Sequence, residues 1–238
     1  MCCRQGLTRS GHRTVSRKEE RRCAQRREYS LTVTPLERCE LPAALAIFER
    51  AFAQEHGSRY RAGAHPDAFL DIWSFLQSIE PRGFLAAREG GCLVGYAIFI
   101  PSLKRVQLQA LVRGAVFGWM IAALRGRFGI RLSAVPRILA NKLMFLRSGG
   151  RYRSRGDAQL LNIAVDPGMQ GRGVATALVR AGLNFLREQC IPEARLEVRP
   201  WNAGALRVYR KTGWREAGRT RDLEGEWIVM VANPSVPA

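Results

Sequence analysis

Residues 165–179 read VDPGMQGRGVATALV and lie where a predicted strand gives way to a predicted helix. The run LLNIAV before and into this stretch (160–165) is apolar, as in a buried strand. After the glycines, apolar residues recur at three- and four-residue spacing from Ala175 to Leu186, which predicts a helix with one packed face. Glycines at such a junction either form a tight turn or let a ligand approach the backbone.

Outward from this junction, strands and helices alternate in an order typical of a mixed α/β sheet with one central interruption. Strands are predicted at 31–35, 83–100 (a hairpin of two), 158–166, 195–199, 214–221 and 226–232. Helices are predicted at 40–57, 66–79, 173–189 and 202–212. We expect one folded domain over residues 30–238 and a disordered basic tail over 1–29, which is poor in apolar residues.

The net charge of +18 resides in two segments. Residues 1–30 carry a net +6, and residues 101–155 carry twelve basic residues and no acidic one. All other charges balance. Such segments favour nucleic acid, anionic lipid headgroups or phosphorylated substrates, although a solvated tail and a basic loop would have the same composition.

The segment 101–155 is predicted to be an insertion of two or three basic amphipathic helices. An anionic membrane surface is one partner that would suit it. A helical subdomain or homodimer contact that buries the same apolar face is the alternative. A face for nucleic acid is less favoured, because few aromatic residues stand among the charges. One apolar face can be formed by Leu108, Leu111, Val112, Val116, Trp119, Met120 and Leu124.

Several classes of protein are not supported by the sequence. The six cysteines show no paired metal-ligand spacing, so no metal site is expected. The longest apolar run, 110–124, contains Arg113 and is shorter than the roughly twenty residues needed to span a bilayer. We therefore expect a cytoplasmic protein, with the inner membrane face as an alternative location.

The glycine-rich junction has a chemical use beyond turning the chain. A helix N-terminus exposes unpaired N–H groups and a positive dipole end, and glycines let these groups close on an anion such as a pyrophosphate. The spacing differs from the dinucleotide GxGxxG, and the P-loop lysine is absent. A purely structural turn therefore remains the alternative reading of this stretch alone.

The surrounding motifs carry a resemblance to a known family. The stretch 170–175, QGRGVA, resembles the (Gln/Arg)-x-x-Gly-x-(Gly/Ala) motif of the GNAT acyltransferase superfamily. NIAVDP (162–167), LEVR (196–199), Asn202 and ALRVYRKTGW (205–214) are similar to its ribosomal-protein-alanine acetyltransferase branch. The similarity covers residues 158–215 well and 31–100 by element order only. It implies a mostly antiparallel sheet flanked by helices, and acetyl-CoA as co-substrate.

The resemblance also implies roles for residues. The strand backbone at Ile163, Ala164 and Val165 would pair with the pantetheine arm, and Asn202 would contact the cofactor. Glu197 would be the general base and Tyr209 the general acid. The pyrophosphate would be held by Gln170, Gly171, Arg172, Gly173, Val174, Ala175 and Thr176.

The residue types suit amine acylation independently of the resemblance. The attacking amine must lose a proton and the leaving thiolate must gain one, and a carboxylate with a phenol can do both. Other readings remain open. Glu197 could pair with Arg199 or Arg207, and Tyr209 could pack under the sheet with its hydroxyl at the surface. Asn202 is also a plausible N-cap, and we assign Trp201 and Trp214 to the core.

The acceptor is left open between an amino sugar, another small amine and a protein amino group. The peptide-acetylating branch carries a longer, tyrosine-bearing stretch between its last two strands, whereas TRDLEGEW (220–227) is short and lacks tyrosine. The insertion adjoins the acceptor side of the expected cleft. The alternative function is a non-catalytic acyl-CoA-binding protein, or a membrane- or nucleic-acid-binding protein acting through its basic insertion.

Overall fold

The computed structural model describes residues 30–52, 66–124, 156–223 and 225–236. The expected tail at 1–29 and the second half of the insertion, 125–155, lie outside the described residues, as do residues 53–57 of the first predicted helix. The described strands are β1 Thr32–Pro35, β2 Phe84–Glu89, β3 Cys92–Ile100, β4 Ala158–Val165, β5 Ala194–Val198, β6 Arg215–Asp222 and β7 Gly225–Ala232. The described helices are α1 Leu41–Phe52, α2 Pro66–Ile79, α3 Leu103–Val112, α4 Ala115–Leu124, α5 Val174–Glu188 and α6 Ala203–Lys211.

The strands form one sheet in the order β1-β2-β3-β4-β5-β7-β6. Neighbouring strands are antiparallel except β4 and β5, which are parallel. The parallel pair is joined by α5, as a crossover connection requires. The predicted mixed, mostly antiparallel sheet flanked by helices is therefore confirmed.

Helices cover both faces of the sheet. On the face that we call the α5 face, Leu178 and Leu186 of α5 and Leu206 of α6 pack against Leu196 and Val198 of β5. This packing follows from the alternation of β5, whose even-numbered side chains point to one face. Full burial of each such side chain stabilises the fold by about 1.5–3 kcal/mol.

The opposite face, which we call the α1 face, carries α1, α2 and α3. Leu45 and Phe48 of α1 and Trp73 of α2 pack against Tyr96 of β3, whose ring centroid lies 5.1 Å from that of Trp73. Val106 of α3 belongs to the same cluster. The described part of the insertion is thus attached to the α1 face.

Asp157 joins the two ends of the insertion. Its carboxylate accepts hydrogen bonds from the Ser102 hydroxyl (2.8 Å) and the Lys104 N–H (2.7 Å), and its carbonyl accepts one from Leu103 N–H (3.1 Å). Burial opposes ionisation of Asp157, but these hydrogen bonds outweigh it and hold the pKa of the carboxyl below its usual value. Ser102 caps α3 by accepting from Arg105 N–H at 3.1 Å.

Candidate active site

Strands β4 and β5 separate soon after they begin. Their register comprises Ala158 with Ala194 and Gln159 with Arg195. On its other edge, β4 stays paired with β3 as far as Val165. The edge of β4 that carries Ile163, Ala164 and Val165 therefore leaves the ladder with β5, and its backbone can pair with an extended ligand.

The predicted turn lies at the end of β4. Asp166 fixes its start, because one carboxylate oxygen accepts from Gly168 N–H (3.0 Å) and the other from Arg50 Nη2 (2.8 Å). Gly171 and Gly173 have φ of +78° and +83°, which L side chains rarely adopt. A Cβ at either glycine would meet no atom within 4 Å, so the space in front of the turn is open.

Helix α5 begins directly after this turn, with Gly173 as its N-cap residue and no side-chain cap. The side chain of Val174 is buried, those of Ala175 and Thr176 are half-buried, and those of Gln170 and Arg172 are exposed. Arg172 Nη1 lies 3.8 Å from Glu89 Oε2. The first-turn N–H groups of α5 thus face open space at a positive dipole end, which suits an anion.

Asn202 is the N-cap of α6, as predicted. Its side-chain carbonyl accepts from Ala205 N–H at 3.0 Å. This bond orients the amide group at the start of α6.

Glu197 lies on β5 and points to the α1 face, because Leu196 and Val198 on either side of it belong to the α5-face core. Its carboxylate accepts from Gln159 Nε2 (2.9 Å) and pairs with Arg195 Nη2 (2.6 Å). Burial raises the pKa of Glu197, and the charge of Arg195 and the hydrogen bonds oppose this effect without cancelling it. The ion partner is therefore Arg195 and not the Arg199 or Arg207 considered from the sequence.

Tyr209 lies on the other face. It is 6% exposed within the α5-face core, and its ring centroid lies 6.1 Å from that of Trp214. Burial raises the pKa of its hydroxyl, so the phenol stays protonated at neutral pH. The structure thus places Glu197 and Tyr209 on opposite faces of the sheet.

A cavity of about 260 Å³ opens at the gap between β4 and β5. It brings together two carboxylates, an indole and two leucines from four strands. Leu160 packs in the α5-face core and Leu161 against the α1-face core, so the cavity reaches both layers. Its lining residues are Leu160, Leu161, Glu197, Asp222 and Trp227.

The wall of this cavity contains a cluster that the sequence analysis missed. Arg199 makes a two-pronged ion pair with Asp222, with both N–O distances 3.1 Å. Trp227 Nε1 donates to Asp222 Oδ2 at 2.8 Å, and the guanidinium of Arg199 lies 3.8 Å from the Trp227 ring centroid. The available signal was the alternation of RLEVR, which puts Arg195, Glu197 and Arg199 on one face.

The core assignment of Trp201 is wrong, whereas that of Trp214 is confirmed. Trp214 is 3% exposed, but Trp201 is 61% exposed. The guanidinium of Arg199 lies 5.2 Å from the Trp201 ring centroid. A cation over one face of the indole lets the ring remain at the surface.

The described ranges contain neither a candidate metal site nor a membrane-spanning helix. No group of three or more histidine, cysteine, aspartate or glutamate side chains could hold a metal ion there. No helix in that part of the chain combines the length and the apolar content needed to cross a bilayer.

Known acetyltransferases are similar in sequence to a part of this chain. The mycothiol acetyltransferase of Acidothermus cellulolyticus is 38% identical over 71 residues, which are 30% of this chain and 21% of that protein. The [ribosomal protein bS18]-alanine N-acetyltransferase of Escherichia coli is 39% identical over 61 residues, which are 26% of this chain and 41% of that protein. The matched stretch thus spans less than half the length of either relative.

Solved structures share the fold over most of the chain. The crystal structure of the ribosomal-protein-alanine N-acetyltransferase from Escherichia coli has a TM-score of 0.50 at 21% identity, covering 88% of this chain and 97% of that chain. The structure of yncA from Salmonella typhimurium, with its cofactor acetyl-CoA, has a TM-score of 0.50 at 14% identity, covering 87% and 98%. These likenesses concern the fold alone.

The family assignment rests on a longer match. The model of the acetyltransferase (GNAT) family matches residues 48–214, which include β4, the glycine turn, β5 and α6. Because this match spans more than half of the chain, the protein belongs to the acetyltransferase (GNAT) family.

Proposed function

We propose that this protein transfers an acetyl or other short acyl group from acetyl-CoA to a primary amine by direct attack. The observation that carries the proposal is the gap between β4 and β5. It has a helix start with unpaired N–H groups on one side and a half-buried carboxylate, whose pKa burial raises, on the other. Family membership supports the same chemistry.

The described residues fit acetyl-CoA. The open space before Gly171 and Gly173 admits a pyrophosphate against the first-turn N–H groups of α5. Arg172 and Gln170 are exposed beside it, and Thr176 is half-buried in the first turn. The backbone of residues 163–165 would hold the pantetheine arm, and the oriented amide of Asn202 would contact it near α6. When bound, acetyl-CoA supplies the thioester that is attacked.

The acid and base would act from opposite faces. The amine attacks the thioester carbonyl carbon, and Glu197 takes the proton that the amine must lose. The raised pKa makes Glu197 a stronger base than an exposed carboxylate. The carbon–sulfur bond would break as the amide forms, and the leaving thiolate would take the proton of the Tyr209 hydroxyl, which regains a proton from solvent as Glu197 releases the one taken from the amine. Proximity of the two reactants in the gap supplies much of the rate.

The cavity favours a small acceptor group. Its volume of about 260 Å³ lies just below the usual range for drug-sized ligands. The carboxylates of Glu197 and Asp222, each already paired with an arginine, would accept hydrogen bonds from the amine, and Trp227 offers a flat apolar wall. An amino sugar, another small amine or the amino end of a protein would each present such a group. We place the reaction in the cytoplasm.

The test separates binding from turnover. Calorimetric titration with acetyl-CoA should give saturable binding that Gly173→Glu abolishes, because a carboxylate would stand in the phosphate site. Gly114→Glu is the matched control, since Gly114 also has a left-handed φ, of +69°, and open space in front of it, but lies in the insertion. Absence of binding to the wild type would overturn the cofactor site.

Turnover is then measured as thiol release with a panel of primary amines. Glu197→Gln should keep acetyl-CoA affinity and lose activity on the order of a hundred- to ten-thousandfold. Glu188→Gln, an exposed carboxylate paired with Arg82 on the surface, is the matched control. Equal loss in both variants, or no loss in Glu197→Gln, would reject Glu197 as the base.

A further inference from the structure

The two described helices of the insertion expose an unusual amount of apolar surface. Of the eleven exposed large hydrophobic side chains in the described residues, seven lie on α3 and α4, with exposures of 44–71%. We call these seven residues the apolar patch. They are Leu108, Leu111, Val112, Val116, Phe117, Met120 and Ile121.

The patch is the outward side of helices that are already anchored by their inward side. Val106 and Ala110 of α3 are buried, and Trp119 of α4 packs edge-on against Phe75 of α2, with ring centroids 5.2 Å apart. A helix on a protein surface normally turns a polar face to water. Helix α4, AVFGWMIAAL, has no charged residue on any face, so its outward side needs a cover.

The positive charge around the patch limits which kind of partner can cover it. Lys104 and Arg105 are exposed one turn before Leu108 on α3, and Arg113 is exposed at the bend between the helices. Residues 101–155 contain twelve basic residues and no acidic one. A second copy of the chain would bring two such cationic segments together, and residues 125–155 offer no acidic group to neutralise the first half.

We propose that the apolar patch docks on an anionic membrane surface. The apolar side chains would enter the boundary between headgroups and acyl chains, and the surrounding cations would contact lipid phosphates. A nucleic acid would satisfy the cations but leave the seven apolar side chains uncovered. The lipid surface satisfies both. The protein lies on the bilayer through two short helices and does not enter its core.

Docking through the patch would bring the proposed acceptor side of the protein close to the membrane. Helix α3 packs on the α1 face, which is also the face to which Glu197 points. Asp157 ties the insertion next to Gln159, and Gln159 donates to Glu197. A docked protein would receive amines carried at the membrane on its acceptor side. This consequence rests on the proposed function, whereas the docking does not.

The experiment is co-flotation of the full chain with vesicles. Phosphatidylcholine alone is compared with phosphatidylcholine mixed with phosphatidylglycerol, each at low and high salt. We expect binding to the anionic vesicles only, weakened by salt. Phe117→Ser/Ile121→Ser should weaken it roughly tenfold or more. Ile72→Ser/Leu223→Ser, which changes two exposed apolar residues elsewhere, should not.

A second pair of variants tests the charges. Arg113→Gln should weaken binding about fivefold, the effect of one cation near an anionic surface. Arg180→Gln, exposed on α5, is its control. Thermal unfolding and acetyl-CoA titration of each variant show that it is folded and that the cofactor site is separate.

The other outcomes overturn the proposal. Binding that survives Phe117→Ser/Ile121→Ser would mean that charge alone attracts the protein. Absence of vesicle binding, with a dimer that the same variant dissociates in sedimentation velocity, would assign the patch to a second copy. Absence of vesicle binding by a monomer would mean that the chain covers the patch itself.

Discussion

Glu197 is held between two opposing influences. Burial raises the pKa of its carboxyl, whereas the guanidinium of Arg195, at 2.6 Å, favours the charged form. A general base acts in its ionised form, so the turnover number should rise with pH through the raised pKa of Glu197. Because Arg195 partly opposes the rise, the ion pair would tune the proposed base as well as position it.

Arg195→Gln tests this tuning. Removing the neighbouring cation should raise the pKa of Glu197 further, so the acid limb of the pH–rate profile should move to higher pH. Arg215→Gln, an exposed arginine on β6, is the control. A limb that stays in place, or that moves to lower pH, would show that another group controls the profile.

At the scale of the element, the turn before α5 requires a residue that can adopt a positive φ at position 173. Gly173 is in the left-handed region, where an alanine costs about 1–2 kcal/mol. Gly173→Ala should therefore lower the free energy of unfolding by about that amount. Gly118→Ala in α4 should raise it by up to about 1 kcal/mol, because alanine is the better helix former and its Cβ meets open space. Urea unfolding of both variants measures the two effects.

Opposite signs would show that the φ of Gly173, and not the loss of a glycine as such, sets its cost. If both variants changed the free energy of unfolding equally, the left-handed requirement would be contradicted. If Gly173→Ala also weakened acetyl-CoA binding, the open space before the turn would be the phosphate site of the proposal.

Elements could be predicted from the sequence because their signals are local. The apolar run of β4, the glycines before α5 and the stripe of α1 each lie within a few residues, and the structure confirms them. The partner of Glu197 could not be predicted. Alternation places Arg195 and Arg199, two residues before and after Glu197, equally near its carboxylate. Arg199 pairs instead with Asp222 of the β6–β7 hairpin, a contact between segments that are distant in the sequence. Trp201 was misassigned because a stacked arginine makes surface exposure tolerable.

At the scale of the whole molecule, charge and chemistry occupy different parts of the chain. The net charge of +18 is carried by residues 1–30 and 101–155, and the remainder is balanced. The cavity instead presents two carboxylates. Arg195 and Arg199 pair with these carboxylates, so the cavity is close to neutral, whereas the insertion attracts anions. The charge of the insertion acts within about 10 Å at ordinary ionic strength, so it need not disturb the cavity.

The sheet would lie between the proposed sites of the two substrates. The turn of Gly171 and Gly173 leads into α5 on one face, and Glu197 points to the other, so both substrates can occupy the gap between β4 and β5 together. We therefore expect a ternary complex. Double-reciprocal plots of the initial rate against acetyl-CoA concentration, at several fixed amine concentrations, should give intersecting lines. Desulfo-coenzyme A should compete with acetyl-CoA and not with the amine. Parallel lines, with an acetylated protein detected by intact mass, would instead require a covalent route. The proposed site argues against that route, because a thioester entering the gap from the α5 face would meet the amine directly at Glu197.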